Sequence, residues 1–259
     1  MYKGYLIDLD GIAYKGTTVI ESCIDFINYL KEHNIPFAFI TNNSTRHKRD
    51  VYSKLTKMGY DIEQDKIVTS SMVTAEYIKN HKKDATVFLI GMQGIHDELM
   101  NHNLKLVENN ADYVVIGLDS RLTYEKLAVA SLEIANGATF ISTNMDYMFP
   151  SERGIIPGNG SITKTLEYTT GVKPIVMGKP ERAMLDYALS ILKLKSDDVA
   201  IVGDNYHTDL MLGINNGVDT LFVETGVMSR TDLEQYTKKP THIVNDLSEW
   251  IKICQGIKI

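Results

Sequence analysis

The chain alternates short, unbroken apolar runs with segments whose apolar residues recur at helical spacing, and this alternation limits the architectures open to it. The runs cover residues 5–9, 36–41, 87–91, 113–117, 139–143, 174–178, 199–204 and 220–225. Runs that are apolar on consecutive residues suit strands covered on both faces. Between the first two, Ile20, Cys23, Ile24, Ile27 and Leu30 fall on one helical face. Val51, Leu55 and Met58 mark another helix, stopped near Gly59, and 73–79 reads as a further short one. The pattern predicts helices over 122–136, with Thr123 as N-cap and Gly137 as the stop, and over 161–170, ending before Gly171. Further helices are expected over 180–194, with Pro180 in the first turn, and over 209–216. Met92, Ile95, Leu99 and Met100 also stand at helical spacing, which fits a core or an interface and favours a core. Strand then helix, repeated, predicts an α/β fold: a parallel sheet with helices on its faces.

With 259 residues, the chain is long enough for one large domain or two modest ones. Against 27 basic residues stand 33 acidic ones, a net charge of −6, which is poor footing for a nucleic-acid partner. No apolar run approaches the roughly 18 residues of a membrane span. Asp8 and Asp10 interrupt the apolar run near the N-terminus, so that run does not read as a signal peptide. Two widely separated cysteines, Cys23 and Cys254, read as reduced thiols of a cytoplasmic protein.

Four of the predicted strands end in polar strings. The first ends in Asp8-Leu9-Asp10-Gly11, two carboxylates two residues apart. Ligands of open parallel sheets bind beyond the carboxyl ends of the strands, so both carboxylates can reach one site. Close like charges then need a cation or a proton to offset them. The second strand ends in Thr41-Asn42-Asn43-Ser44, short polar side chains beside backbone N–H groups. Such a string suits oxyanion binding, and it suits an ordinary helix cap equally well. A third ends in Gly178-Lys179-Pro180. A lysine at a helix N-terminus is electrostatically misplaced unless an anion accompanies it. The fourth runs Gly203-Asp204-Asn205-Tyr206-His207-Thr208-Asp209, a set of oxygen donors suited to a hard cation such as Mg²⁺. His207 has no second His or Cys at metal-ligand spacing.

In this order, the four strings resemble the signature of the haloacid dehalogenase superfamily of phosphohydrolases. The strings Asp8–Gly16, Thr41–Ser44, Ser142–Asp146, Pro157–Gly160 and Gly178–Pro180 resemble its NagD-like subfamily. The resemblance implies a Rossmann-like catalytic core over 1–81 and 177–259 and an inserted, smaller α/β cap over 82–176. It implies a Mg²⁺-dependent phosphomonoesterase of small phosphorylated metabolites, among them sugar-acid phosphates and nucleoside monophosphates. Asp8 would be the nucleophile and Asp10 the proton carrier. Thr41, Asn42 and Asn43 would hold the phosphoryl group, with Lys179 balancing charge. Asp8, the main-chain carbonyl of Asp10, and Asp204 would bind the metal, with Asp209 or Asn205 adding a ligand through water. Cap residues select the substrate in this family, and Asn144 and Asp146, with Gly158, Asn159 and Gly160, are the candidates. A homodimer paired through the cap also fits the resemblance.

Two positions depart from the family pattern. Ile12 stands where many members have Thr, and His207 where many have Asp. Two other functions use similar residues. An aspartate-phosphorylated signalling module also places Asp, Thr and Lys at strand ends, in a chain near half this length. A phosphoryl-transferring mutase needs a cap that excludes water. The second carboxylate, Asp10, favours hydrolysis, because an aspartyl-phosphate needs a base to activate water.

Overall fold

A computed structural model describes residues 2–151 and 153–257. The architecture is α/β with parallel sheets, as the alternating pattern predicts. In chain order come β1 (Gly4–Ile7), a small hairpin of β2 (Tyr14–Lys15) and β3 (Thr18–Val19), α1 (Glu21–Glu32) and β4 (Phe37–Thr41). Next are α2 (Lys48–Lys57), β5 (Ile67–Thr69), α3 (Ser70–His81), β6 (Thr86–Ile90), α4 (Gln93–Asn101) and β7 (Lys105–Leu106). The middle continues with β8 (Tyr113–Ile116), α5 (Tyr124–Ala135), β9 (Thr139–Ser142), a hairpin of β10 (Met148–Ser151) and β11 (Gly154–Pro157), α6 (Asn159–Thr170) and β12 (Ile175–Val176). The last part holds α7 (Arg182–Leu192), β13 (Val199–Gly203), α8 (Met211–Asn216), β14 (Asp219–Val223), β15 (His242–Val244) and α9 (Leu247–Cys254).

These elements form two compact units. The first comprises Met1–Thr41, Val51–Val68 and Lys179–Ile259; the second comprises Asn42–Asp50 and Thr69–Gly178. In the first, the sheet order is β15-β14-β13-β1-β4-β5. The pairs from β15 to β4 are parallel. From β1 the chain moves outward through β4 to β5, and later from β13 outward through β14 to β15. The order therefore reverses between β1 and β13, and such a switch point opens a crevice at the carboxyl ends of the strands. Every residue of β1, β4 and β13 is buried, which is why these strands carry no polar alternation. On α1, Cys23, Phe26, Ile27 and Leu30 are buried at i, i+3, i+4 and i+7 spacing. Their cluster takes in Tyr5, Phe39, Tyr60 and Trp250, with Tyr5 and Phe26 packed edge to face at 5.1 Å. Ile12 is fully buried in this cluster, so its departure from the family pattern is an apolar packing contact.

The second unit has its own five-stranded sheet, β12-β9-β8-β6-β7, with parallel pairs throughout. Phe88, Val114, Ile116, Phe140, Ile162 and Leu166 form the core under α5 and α6. Thr123 caps α5: its hydroxyl accepts from the Lys126 N–H at 3.3 Å. Glu133 at the far end of the same helix is buried and reaches back to the loop before β8. Its two carboxylate oxygens accept from the N–H groups of Asn110 at 2.9 Å and Ala111 at 2.7 Å.

Several element boundaries differ from the sequence expectation. The helix after Lys179 starts at Arg182, with Pro180 in the preceding turn. One wide helical turn over Tyr206–Leu210 runs directly into α8, so Asp209 is helical as expected and the segment begins three residues earlier. Of the four apolar residues near α4, Ile95 and Leu99 are buried, whereas Met100 is half exposed. Helical spacing put Met100 in the core, but its position next to Leu99 turns it off the buried face. Both cysteines are free thiols, and burial pushes that of Cys23 up to about 12. No described helix is long and apolar enough to cross a membrane.

Replacing Glu133 by Ala is expected to cost about 2 kcal/mol, since two backbone donors lose a charged acceptor. The midpoint of urea unfolding, compared with wild type, measures it.

Candidate active site

The carboxyl ends of β1 and β13 lie side by side, and each carries an aspartate one residue past the strand. The Asp8 N–H donates to the Val202 carbonyl at 2.9 Å, which continues the ladder to the edge of the site. Lys179 enters from the turn before α7 and is 3% exposed, a depth at which an ammonium needs anions. Its Nζ donates to Asp8 Oδ1 at 2.5 Å and to the Ile40 carbonyl at 3.3 Å, and lies 2.7 Å from Asp209 Oδ1. The contact with Asp209 is a buried ion pair. One oxygen from each of Asp8, Asp204 and Asp209 lies within 4.8 Å of the other two.

Three buried carboxylates face one ammonium here. Burial, then the neighbouring charges of Asp209 and Asp204, hold the Asp8 carboxyl well above the usual range despite Lys179. Asp204 is pushed up to about 7, first by burial and then by Asp209. Burial works against the Lys179 charge, but Asp209 and Asp8 outweigh it and raise its pKa. The cluster thus carries more negative charge than its lysine offsets. All-oxygen donors at this spacing fit a hard divalent cation.

Asp204 is fastened from a loop that the sequence strings do not contain. Its Oδ2 accepts from the Val227 N–H at 2.6 Å. Gly226 and Gly11 both press on the same carboxylate, and a Cβ at either position would overlap it. Gly11 also has φ +90°, so an L side chain there is strained as well as crowded. Thr225 Oγ1 donates to the Gly11 carbonyl at 2.7 Å and ties the two loops together.

The other candidates occupy varied positions. Thr41 is buried at the end of β4, while Asp10 is exposed just beyond the strand that carries Asp8. Asn205 is engaged locally: its Oδ1 accepts from the His207 N–H at 3.0 Å, and its N–H donates to Asp209 Oδ2 at 3.2 Å. In the second unit, Asn42 Nδ2 donates to both oxygens of Asp146 at 3.3 and 3.2 Å. Asn144 Nδ2 donates to the Asn42 carbonyl at 2.9 Å, and its Oδ1 accepts from the Asp146 N–H at 3.2 Å. Asn42, Asn144 and Asp146 therefore form one polar group. Asn43 is exposed, and its Oδ1 accepts from the N–H and hydroxyl of Thr45, a local turn contact. Asn159 is buried below, donating to the Asn144 carbonyl at 2.8 Å and to Ser142 Oγ at 3.0 Å.

A haloacid dehalogenase-like hydrolase model matches residues 5–105, and a second HAD-like hydrolase model matches residues 176–250. The chain belongs to the haloacid dehalogenase-like hydrolases. Within that superfamily it is a NagD-like phosphatase. It is 47% identical to a 5′-nucleotidase, YutF, of Bacillus subtilis, over 96% of this chain and 98% of that protein. It is 49% identical to an acid sugar phosphatase of Staphylococcus haemolyticus, over 95% and 94% of the two chains. The solved p-nitrophenyl phosphatase of Archaeoglobus fulgidus superposes with a TM-score of 0.94 at 35% identity, covering 97% of this chain and 99% of that one. The activity class of this HAD-like chain is therefore phosphomonoester hydrolysis.

For this phosphatase, sequence reasoning missed the Thr225–Val227 loop. The signal was present as Glu224-Thr225-Gly226-Val227 after an apolar strand. A glycine at a strand end has many explanations, and only the fold brings this one against Asp204.

Two outcomes follow from this geometry. Gly226→Ala is expected to weaken divalent-cation binding at the Asp8–Asp204–Asp209 cluster at least about tenfold, as loss of ligand orientation does at other metal sites. Calorimetric titration of the folded variant against wild type measures it. In EDTA, the raised Asp204 pKa makes the unfolded chain release its proton first. Stability should then fall as pH rises from about 4 to 7, and the raised Asp8 pKa acts in the same direction. Lys179, charged throughout that range, leaves the sign unchanged. Thermal unfolding in EDTA at about pH 5 and about pH 8 reads the fall, and saturating Mg²⁺ should shrink it.

Proposed function

We propose that this phosphatase is Mg²⁺-dependent and hydrolyses small phosphorylated metabolites through an aspartyl-phosphate on Asp8. The observation that carries the reading is Lys179, buried, donating to Asp8 at 2.5 Å and ion-paired with Asp209 at 2.7 Å. A nucleophilic carboxylate that must approach an anionic phosphate needs such local positive charge.

In this reading, a carboxylate oxygen of Asp8 attacks phosphorus and the bond from phosphorus to the ester oxygen breaks. Asp10, exposed just beyond β1, gives its proton to the departing oxygen. Water then attacks phosphorus, Asp10 takes the water's proton, and inorganic phosphate leaves with the Asp8 carboxylate restored. Thr41, at the end of β4, and Lys179 bind the phosphoryl oxygens. Asp8, Asp204 and Asp209 are the residues that would hold the cation, with the Asp10 main-chain carbonyl as a further oxygen. When bound, the cation offsets negative charge on the phosphoryl group and the carboxylates.

The first unit serves as the catalytic core and the second as the cap that selects substrate. Asn42 and Asp146, paired in the second unit, supply polar groups for the substrate's organic part, with Asn144 holding both in place. Relatives named as acid sugar phosphatase and 5′-nucleotidase favour sugar-acid phosphates and nucleoside monophosphates as the first classes to assay. Free thiols and the absence of a membrane-spanning helix among the described residues are compatible with action in the cytoplasm.

Phosphate release from 4-nitrophenyl phosphate, nucleoside monophosphates, phosphoglycolate, pyridoxal phosphate and sugar-acid phosphates tests the reading, with Mg²⁺ and with EDTA. Turnover should require the cation, and Asp8→Asn should lose about 10⁴-fold or more in kcat, as loss of a nucleophile does in other hydrolases. Asp10→Asn should lose about 10²- to 10⁴-fold, the usual share of a general acid–base. Normal turnover in Asp8→Asn would sink the mechanism.

A further inference from the structure

The turn that carries Asp204 and Asp209 is braced by a distant stretch of the first unit. Tyr206 is buried, and its ring stacks flat on that of Tyr236, with centroids 3.7 Å apart and planes 5° from parallel. Its hydroxyl donates to the Lys238 carbonyl at 2.9 Å, and its N–H points at the Met228 sulfur at 3.2 Å. His207 stands edge-on to the Tyr236 ring, and its Nε2 lies 2.9 Å from the Tyr236 hydroxyl. Below the pair, Tyr206, Leu210, Phe222 and Leu233 form a closed apolar cluster.

The residues on either side of this brace are the acidic ones. Asp204 lies two residues before Tyr206, and Asp209 lies two after His207. The turn between them is wide: the N–H groups of both Asp209 and Leu210 reach back to the Asn205 carbonyl. Single wide helical turns of this kind are rare and are frequent at functional sites. The flat Tyr206–Tyr236 stack and the His207–Tyr236 contact hold this turn from outside the site.

We propose that Tyr236 and His207 are positioning residues that hold the Asp204–Asp209 turn in the geometry that binds the divalent cation. Tyr236 packs on Tyr206 and His207, so both side chains act through Tyr206 and the turn backbone. This also gives His207 a task of its own. Its ring engages Tyr236, where an aspartate at the same position would lack the ring face and edge for that contact. The inference rests on the metal-dependent reading above.

The test uses the full chain, with Tyr236→Leu, Tyr236→Phe and His207→Ala variants. Mg²⁺ affinity is measured by calorimetric titration, beside the Mg²⁺ dependence of 4-nitrophenyl phosphate hydrolysis. Tyr236→Leu should raise the Mg²⁺ Kd about tenfold, the lower end of what outer contacts contribute at metal sites. KM for 4-nitrophenyl phosphate at saturating Mg²⁺ should stay at the wild-type value. Tyr236→Phe keeps the stack and should recover most of the affinity. His207→Ala should fall between the two. A Mg²⁺ Kd equal to wild type in folded Tyr236→Leu overturns the proposal. Should that variant not fold, a Mg²⁺ Kd equal to wild type in folded His207→Ala overturns it. A wild-type chain that neither binds Mg²⁺ nor needs it for turnover would instead remove the metal-dependent reading itself.

Discussion

The buried ammonium of Lys179 is the interaction on which the first unit's polar end depends. Taking an ammonium out of water costs several kcal/mol unless anions meet it at close range. Asp8 and Asp209 do so, and neither would be tolerable at that depth without the lysine. Yet the balance is incomplete, because Asp204 adds a third carboxylate. A parallel sheet that switches direction between β1 and β13 forces this crowding, since it sets the two strand ends side by side. The excess charge makes the site a poor place for stability and a good one for a cation and a phosphoryl group. Functional sites commonly carry such conflicts, and the surrounding core compensates for them.

The surroundings do so in two ways. Apolar packing fixes the strands: β1, β4 and β13 are buried along their whole length, and the Tyr5–Phe26–Trp250 cluster lies beneath them. Backbone donors and close glycines then fix the carboxylates. Val227 bonds Asp204, while Gly11 and Gly226 let two loops approach that side chain more closely than any residue with a Cβ would. In the second unit, Ser142, Thr143, Asn144 and Asn159 share a hydrogen-bond network, so the Asn42–Asp146 pair stands on a polar floor. Such networks hold a single arrangement when nearly all members are satisfied.

Much of this architecture could be read from the amino-acid order. A strand buried on both faces needs consecutive apolar residues, which is why 37–41 and 199–203 were recognisable without a template. Thr123 marked its helix start because a hydroxyl there replaces a missing backbone partner. Short elements were harder. β5 and β15 have three residues each, and β2, β3 and β7 have two, too few for a period to register. Likewise, Pro180 looked like a first helical residue, but the helix waits until Arg182.

For the site, the order of residues determined which chemical groups were available and that each stood at a strand end. Asp8, Lys179, Asp204 and Asp209 could be singled out because charged side chains next to buried strands demand a partner. Their partners were another matter. That Lys179 bonds Asp8, that Val227 holds Asp204, and that Tyr236 lies flat on Tyr206 depend on loops meeting across long stretches of sequence. Such meetings follow from strand order and close packing, which no local pattern encodes. Residue types and strand ends are therefore matters of sequence, whereas the distances that turn them into a site belong to the tertiary structure.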